Sequence, residues 1–215
     1  MISVPQIVQS EDICVHRFTN SFYTSNTYIL NIINNASTDA WLVDCGDSEP
    51  IVQFLDENGL TLRGIFITHG HYDHIYGLND ICERYGDIAI YTNENGRQNL
   101  YDTRYNFSKF HELDFIYKGT NVNLIDNESK IKLFEHHSLS VIATPGHDWS
   151  CLSYQLGNFL FTGDSYIPNV KTVTIFPKSN KIQAQKSEEL IHTLIQSSTI
   201  ICPGHGMMQL QNNNE

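Results

Sequence analysis

Hydrophobic residues in the first half of the chain fall into short runs, and each run ends in a polar cluster. Residues 26–33, 40–43 and 63–68 are apolar and favour β-structure, so they predict three strands. Residues 48–59 have helical spacing of apolar positions, with Ser48 as the expected N-cap and Gly59 as the end. Residues 75–85 predict a second helix, which stops at Gly86. The order is strand, strand, helix, strand, helix.

The second half repeats this alternation. Residues 138–143, 152–156, 158–161 and 198–202 predict strands, and residues 187–196 predict an amphipathic helix. The least regular stretches are residues 101–114 and 166–181, which we expect to form the walls of a pocket. Alternating strands and helices indicate an α/β protein.

Composition narrows the class of protein. A chain of 215 residues with 40% hydrophobic residues predicts one globular domain, residues 1–215. The net charge of -11, with no cluster of lysines and arginines, disfavours a nucleic-acid partner. No apolar run approaches the roughly 20 residues that span a bilayer, and the N-terminus does not resemble a signal peptide. We therefore expect a cytoplasmic protein with no membrane contact and a small-molecule substrate; the oligomeric state stays open.

The strongest chemical signal directly follows the strand at 63–68. His69, His71, Asp73 and His74 lie within six residues, and Gly70 eases a tight loop between them. Such a loop can direct several side chains into one cavity. Histidine and carboxylate together suit zinc, and also iron or manganese.

Three further candidate ligands stand where predicted strands end. His147 and His205 each follow a Pro-Gly pair, and Asp164 follows Gly163. A Pro-Gly turn restricts the backbone and fixes the direction of the next side chain. Seven such side chains exceed what one metal with an open position needs, so they predict two ions.

These motifs resemble the metallo-β-lactamase superfamily. The H-x-H-x-D-H motif is present as residues 69–74, and it is followed in family order by T-P-G-H (144–147), G-D (163–164) and P-G-H-G (203–206). Asp44, in V-D-C-G, matches the aspartate that precedes the motif in this family. The resemblance implies a four-layer αβ/βα sandwich with the metal site at one edge.

The resemblance also implies a role for each ligand. His69, His71 and His147 would hold the first metal. Asp73, His74 and His205 would hold the second, and Asp164 would bridge both. Asp44 would orient the histidine loop by hydrogen bonding.

The implied reaction is hydrolysis by a metal-bridging hydroxide, because two zinc ions about 3.5–4 Å apart lower the pKa of a shared water towards about 7. Asp73 would be catalytic as well as a ligand, since it can orient the nucleophile or shuttle its proton.

An aspartate at position 164 resembles the glyoxalase II, lactonase and phosphodiesterase branches of the family. The expected function is therefore glyoxalase II-like cleavage of a small ester, thioester or lactone. Tyr166 and Lys171, in the irregular stretch after Asp164, are candidate substrate-binding residues. Two alternatives stay open: a persulfide dioxygenase with a single iron, and a small phosphodiesterase.

Overall fold

The computed structural model describes residues 5–33, 37–111 and 114–211. Two β-sheets pack face to face, and helices cover their outer faces. This arrangement confirms the expected α/β fold class and the αβ/βα sandwich. Within the described ranges, no helix combines the length and the apolar character needed to cross a membrane.

The first sheet has seven strands in sequence order. They are β1 (Gln6–Ser10), β2 (Ile13–Thr19), β3 (Asn26–Ile32), β4 (Asp39–Val43), β5 (Thr61–Phe66), β6 (Ala89–Thr92) and β7 (Val122–Leu124). Strands β1 to β4 are antiparallel, whereas β4 to β7 are parallel. The parallel part carries the crossover helices α1 (Ser48–Glu57), α2 (Leu78–Tyr85) and α3 (Glu94–Leu100).

The second sheet has six strands in the order β13-β12-β11-β10-β9-β8. They are β8 (Lys130–Phe134), β9 (His137–Ala143), β10 (Leu152–Leu156), β11 (Phe159–Gly163), β12 (Ile200–Pro203) and β13 (Gln209–Leu210). The pair β11–β12 is parallel, and α4 (Lys181–Leu194) makes the crossover between them. Because parallel strands point the same way, the residues that follow β11 and β12 emerge at the same edge.

Two hydrophobic cores separate the layers. The core between the sheets includes Tyr28, Phe66, Tyr154 and Phe161, none more than 1% exposed. The other core fills the space between the first sheet and the helices α1 and α2. Ile51 of α1 belongs to this core and is fully buried. The first sheet contributes to both cores, and burial of both its faces explains why its central strands read as near-continuous apolar runs.

The starts of the three predicted helices differ from the sequence-based prediction. Asp47 occupies the N-cap position of α1 without a capping hydrogen bond, and Ser48 is the first helical residue instead. Helix α2 begins at Leu78 rather than residue 75, after a short 3-10 turn over Tyr72–His74. Helix α4 begins at Lys181, six residues early, because the side chain of Asn180 accepts hydrogen bonds from the first turn.

Hydrogen bonds across the sandwich close one of its edges. The amide of Leu152 donates to the carbonyl of Thr68 at 2.7 Å. The amide of Asn26 donates to the carbonyl of Gly204 at 2.7 Å, and Tyr28 Oη donates to the carbonyl of Pro203 at 2.6 Å. These bonds join the end of β5 to β10 and β3 to the end of β12, and the candidate ligands lie at this edge.

Candidate metal centre

The histidine loop follows β5 and folds tightly against α3. Gly70 permits this approach, because a Cβ at this position would lie 2.3 Å from the Cβ of Asn99. The amide of Gly70 donates to Ser150 Oγ at 3.2 Å. His69 and His74 on either side are fully buried, so the loop is part of the interior.

Asp44 fixes the same loop from below. It directly follows β4 with a left-handed backbone (φ 59°) and is 1% exposed. Its carboxylate accepts from the amide and the hydroxyl of Thr68, each at 2.7 Å, and lies 2.9 Å from Nδ1 of His74. Because Nδ1 of His74 faces Asp44, its Nε2 points toward Asp73 and Asp164.

The second half of the chain supplies the other three side chains. Nδ1 of His147 lies 2.9 Å from the carbonyl of Val173, which leaves Nε2 free to face the first-half histidines. Asp164 directly follows β11, and His205 lies two residues beyond β12. Gly204 lets the two approach, because a Cβ there would lie 2.0 Å from Oδ1 of Asp164.

All seven predicted side chains converge, in three overlapping groups whose ligand atoms lie within 4.8 Å of one another. The groups are His69/His71/His147, His69/His74/Asp164 and Asp73/His74/His205. Oδ2 of Asp164 lies 3.5 Å from Nε2 of both His147 and His205. One carboxylate thus reaches both ends of the cluster.

The donor atoms fit metal ions. Nε2 of His69, Nε2 of His74 and Oδ1 of Asp164 are buried and have no hydrogen-bond partner among the described residues. Leaving such atoms unpaired is costly, and a cation would satisfy them. The histidines and aspartates thus form a metal-binding site. Imidazole and carboxylate donors suit zinc, iron and manganese alike, so the donor atoms do not select one of these metals.

The charges of the cluster are strongly coupled. Burial alone would lower the pKa of His74, but Asp73, Asp164 and Asp44 outweigh it and raise the pKa to about 9. Burial likewise opposes protonation of His205, whose contacts with Asp164 and Asp73 raise its pKa to about 10. Conversely, burial would raise the pKa of Asp164, and the surrounding histidines hold it well below its ordinary value. The geometry therefore favours cations at this position.

Asp148 is a buried carboxylate that sequence analysis missed. Its Oδ2 lies 3.6 Å from Nε2 of His71, while Oδ1 accepts from the amide of Ser150 at 2.9 Å and Nδ2 of Asn99 at 3.0 Å. Nδ1 of His71 faces Nε2 of His147 at 3.1 Å. Asp148 therefore stands behind His71, on the side away from the other ligands, in the place where an outer carboxylate orients a ligand.

The two candidate substrate-binding residues lie apart from the main cavity. The ring of Tyr166 packs edge-on against His192 of α4, with 5.0 Å between centroids. Lys171 borders a small separate pocket that also touches His147 and Asp164. Their role in substrate binding stays a prediction.

A cavity of about 570 Å³ opens over the metal-binding side chains. Both irregular stretches contribute to its walls: Phe107, Phe110 and His111 come from the first, and Val173 and Phe176 from the second. In the first stretch, residues 112–113 lie outside the described ranges. The cavity has the size of an ordinary small-molecule site.

Comparison with known proteins identifies relatives of this architecture. The sequence model of the Metallo-beta-lactamase superfamily matches residues 21–205. Over 141 residues the chain is 33% identical to a hydroxyacylglutathione hydrolase of Pseudoalteromonas translucida (strain TAC 125). The aligned residues make up 66% of this chain and 47% of that protein. The chain thus spans about half the length of that curated relative.

Solved structures agree with the fold. BLEG-1, a B3 metallo-beta-lactamase, superposes with a TM-score of 0.81 at 24% identity, over 91% of this chain and 93% of its own. ETHE1 from Myxococcus xanthus superposes with a TM-score of 0.70 at 26% identity, over 90% and 76%. TTHA1623, solved in a di-iron-bound form, gives 0.74 at 21% identity, over 92% and 98%. BLEG-1 and TTHA1623 show a shared fold alone.

Proposed function

This chain belongs to the metallo-beta-lactamase superfamily, and we propose that it hydrolyses a small ester, thioester or lactone in a glyoxalase II-like manner. The family, the hydrolase relative and the cluster of histidines and aspartates support an enzyme of the metal-dependent hydrolase type. The observation that carries the proposal is the convergence of seven ligand side chains beneath one open cavity.

We assign the ligands to two positions, with zinc as the expected metal. His69, His71 and His147 would hold one ion, and the group of Asp73, His74 and His205 would hold the other. Asp164 faces both positions. Two bound divalent cations would acidify a water molecule and polarise the oxygen of the electrophile.

The side chain of Asp73 would handle the attacking water and its proton. Asp73 lines the cavity, and its Oδ2 lies 3.4 Å from Nε2 of both His74 and His205. A carboxylate in this position can orient the attacking water and accept its proton. As the new C–O bond forms, the bond to the leaving sulfur or oxygen breaks, and the proton leaves with that group.

A second candidate is a persulfide dioxygenase with a single iron. It is favoured by the group His69/His71/His147, which by itself offers three imidazole nitrogens to one ion. A small phosphodiesterase stays a third possibility, since a dinuclear site suits phosphoryl transfer equally well. The number of ions per chain separates the first two candidates.

Three finer expectations belong to the same proposal. We propose that residues 1–215 act as one domain, that the protein works in the cytoplasm, and that its partner is a small molecule rather than a nucleic acid. The net charge of -11 supports the last of these, because phosphate backbones need cationic surfaces.

The test combines metal analysis with assays. Protein purified without added metal is analysed for elements and assayed against a thioester, a lactone and a phosphodiester. About two zinc ions per chain with thioester or lactone hydrolysis supports the proposal. About one iron, no hydrolysis and oxygen uptake with a persulfide overturns it. His205→Ala should retain fewer ions, whereas His136→Ala, whose side chain is 80% exposed and outside the cluster, should retain both.

A further inference from the structure

The cavity over the metal centre is mostly apolar, although the enzyme relatives of the chain include one named for a glutathione conjugate. We propose that the substrate is an uncharged ester, thioester or lactone that carries an aromatic or similarly bulky apolar group. This inference rests on the proposed hydrolase function and names its substrate class.

Two phenyl rings pack against His71, one of the metal-binding histidines. The ring of Phe107 lies 4.8 Å from that of His71, and the ring of Phe176 lies 5.2 Å from it. Phe107 and Phe176 are 5.0 Å apart with an interplanar angle of 37°. A reacting carbonyl placed at the metal centre would bring its neighbouring group against these rings, where an aromatic group gains both burial and ring contacts.

Other rings that line the cavity have the same character. The ring of Phe22 lies 5.2 Å from that of Tyr72 and 4.9 Å from that of His111, so the three form a continuous aromatic surface. Phe110 lines the cavity while 72% exposed. The apolar character therefore continues from the metal centre to the entrance.

Most polar side chains that line the cavity belong to the metal centre. His71, Asp73, His147, Asp164 and His205 line the cavity and belong to the ligand groups. Among the described lining residues, Tyr23, Tyr72 and His111 are the polar ones that lie outside those groups. A substrate group beyond the reacting atoms thus meets few hydrogen-bonding partners.

Cations that could pair with glutathione carboxylates are also missing from this lining. No lysine or arginine is among the described residues that line the cavity. Two lysines adjoin lining residues in sequence. Lys109, beside Phe110, is exposed to solvent. Lys178, beside Pro177, has its Nζ 3.9 Å from the ring centroid of Trp149 and 4.6 Å from that of Tyr105. A buried carboxylate without a partner is costly, so a glutathione thioester gains little here.

The first test measures binding without hydrolysis. Metal-loaded protein is titrated by calorimetry with neutral 4-phenyl-2-butanone and with anionic S-methylglutathione. The aryl ketone should bind at least tenfold more tightly, and Phe176→Ala should weaken it by about tenfold, as burial of one aromatic group implies. Ile182→Ala, at a side chain 69% exposed on α4, serves as the control. Tighter binding of S-methylglutathione overturns the inference.

The second test measures turnover. Phenylacetyl and acetyl thioesters of N-acetylcysteamine are compared with S-lactoylglutathione, each rate being divided by that of hydroxide-catalysed hydrolysis. The phenylacetyl compound should have the highest kcat/KM, about ten- to a hundredfold above acetyl. A preference for S-lactoylglutathione refutes the inference while supporting the hydrolase proposal. If none is cleaved, the hydrolase proposal fails, and the binding titration alone decides whether the cavity selects apolar groups.

Discussion

Replacing Asp148 with asparagine isolates one carboxylate behind the metal centre. The side chain is fully buried, and its Oδ1 already accepts from Ser150 and Asn99. An amide oxygen can keep those two hydrogen bonds. The NH2 group would then take the place of Oδ2, 3.6 Å from Nε2 of His71.

The expected effect follows from the tautomer of His71. If Nδ1 binds metal, Nε2 carries the proton, and in Asp148→Asn it faces a second donor instead of a carboxylate. Losing an outer partner of this kind typically costs ten- to a hundredfold in metal affinity, which is about 1.4–2.7 kcal/mol. We expect this loss in Asp148→Asn at the position held by His69, His71 and His147.

Competition with a chromogenic zinc chelator measures this affinity directly. Asp126→Asn, at an exposed position, changes the same functional group and should match the wild type. Far-ultraviolet circular dichroism of the metal-free variants checks that both remain folded. If a folded Asp148→Asn protein binds both ions within twofold of the wild type, Asp148 does not orient His71.

Other perturbations test the remaining parts of the site and the core. Asp73→Ala should cost more kcat than any change outside the ligands, and unchanged activity with both metals retained would refute its catalytic role. Asp44→Ala should weaken metal binding about ten- to a hundredfold, because it frees the loop and Nδ1 of His74; elemental analysis after dialysis reports it. The pKa values of His74 and His205 are raised to about 9 and 10, so both side chains should be protonated at pH 7.5 without metal. Binding of two ions should therefore release about two protons, and metal affinity should rise with pH until these histidines have lost their protons. Calorimetry in buffers of different ionisation enthalpy counts those protons, and release of none would contradict the assignment. Phe161→Ala, in the core between the sheets, should lower the free energy of unfolding by about 3–5 kcal/mol in urea titrations, and a loss below 1 kcal/mol would exclude close packing there.

The sequence allowed the elements that hold the ligands to be predicted because each is an apolar run that ends in a polar residue. Strands β3, β4, β5 and β10 lie within one or two residues of the predicted ranges. Buried strands have few other ways to place such runs, so local pattern and final structure agree. The convergence of the seven ligands followed from family order, and the structure brings them together.

Other features depend on contacts that local pattern does not contain. Asp148 is adjacent to His147, yet only the packing of α3 reveals that its carboxylate turns toward His71. The start of α4 was missed because residues 181–186 have no apolar stripe, and its first turn is stabilised by Asn180 instead. Phe107 has a left-handed backbone (φ 65°) in a stretch without periodicity, so its position against the metal centre could not be derived.

The edge hydrogen bonds join parts of the chain that are distant in sequence: Tyr28 and Pro203 are 175 residues apart. Ions bound between the same two sheets would stabilise only the folded state, because an unfolded chain does not bring the ligands together. Free metal at a hundred times its dissociation constant would stabilise the folded protein by about 2.7 kcal/mol. That is a sizeable part of the stability of an ordinary domain. The amount of folded protein in a cell should therefore depend on the supply of its metal. A shortage of metal should first increase the degradation of the protein.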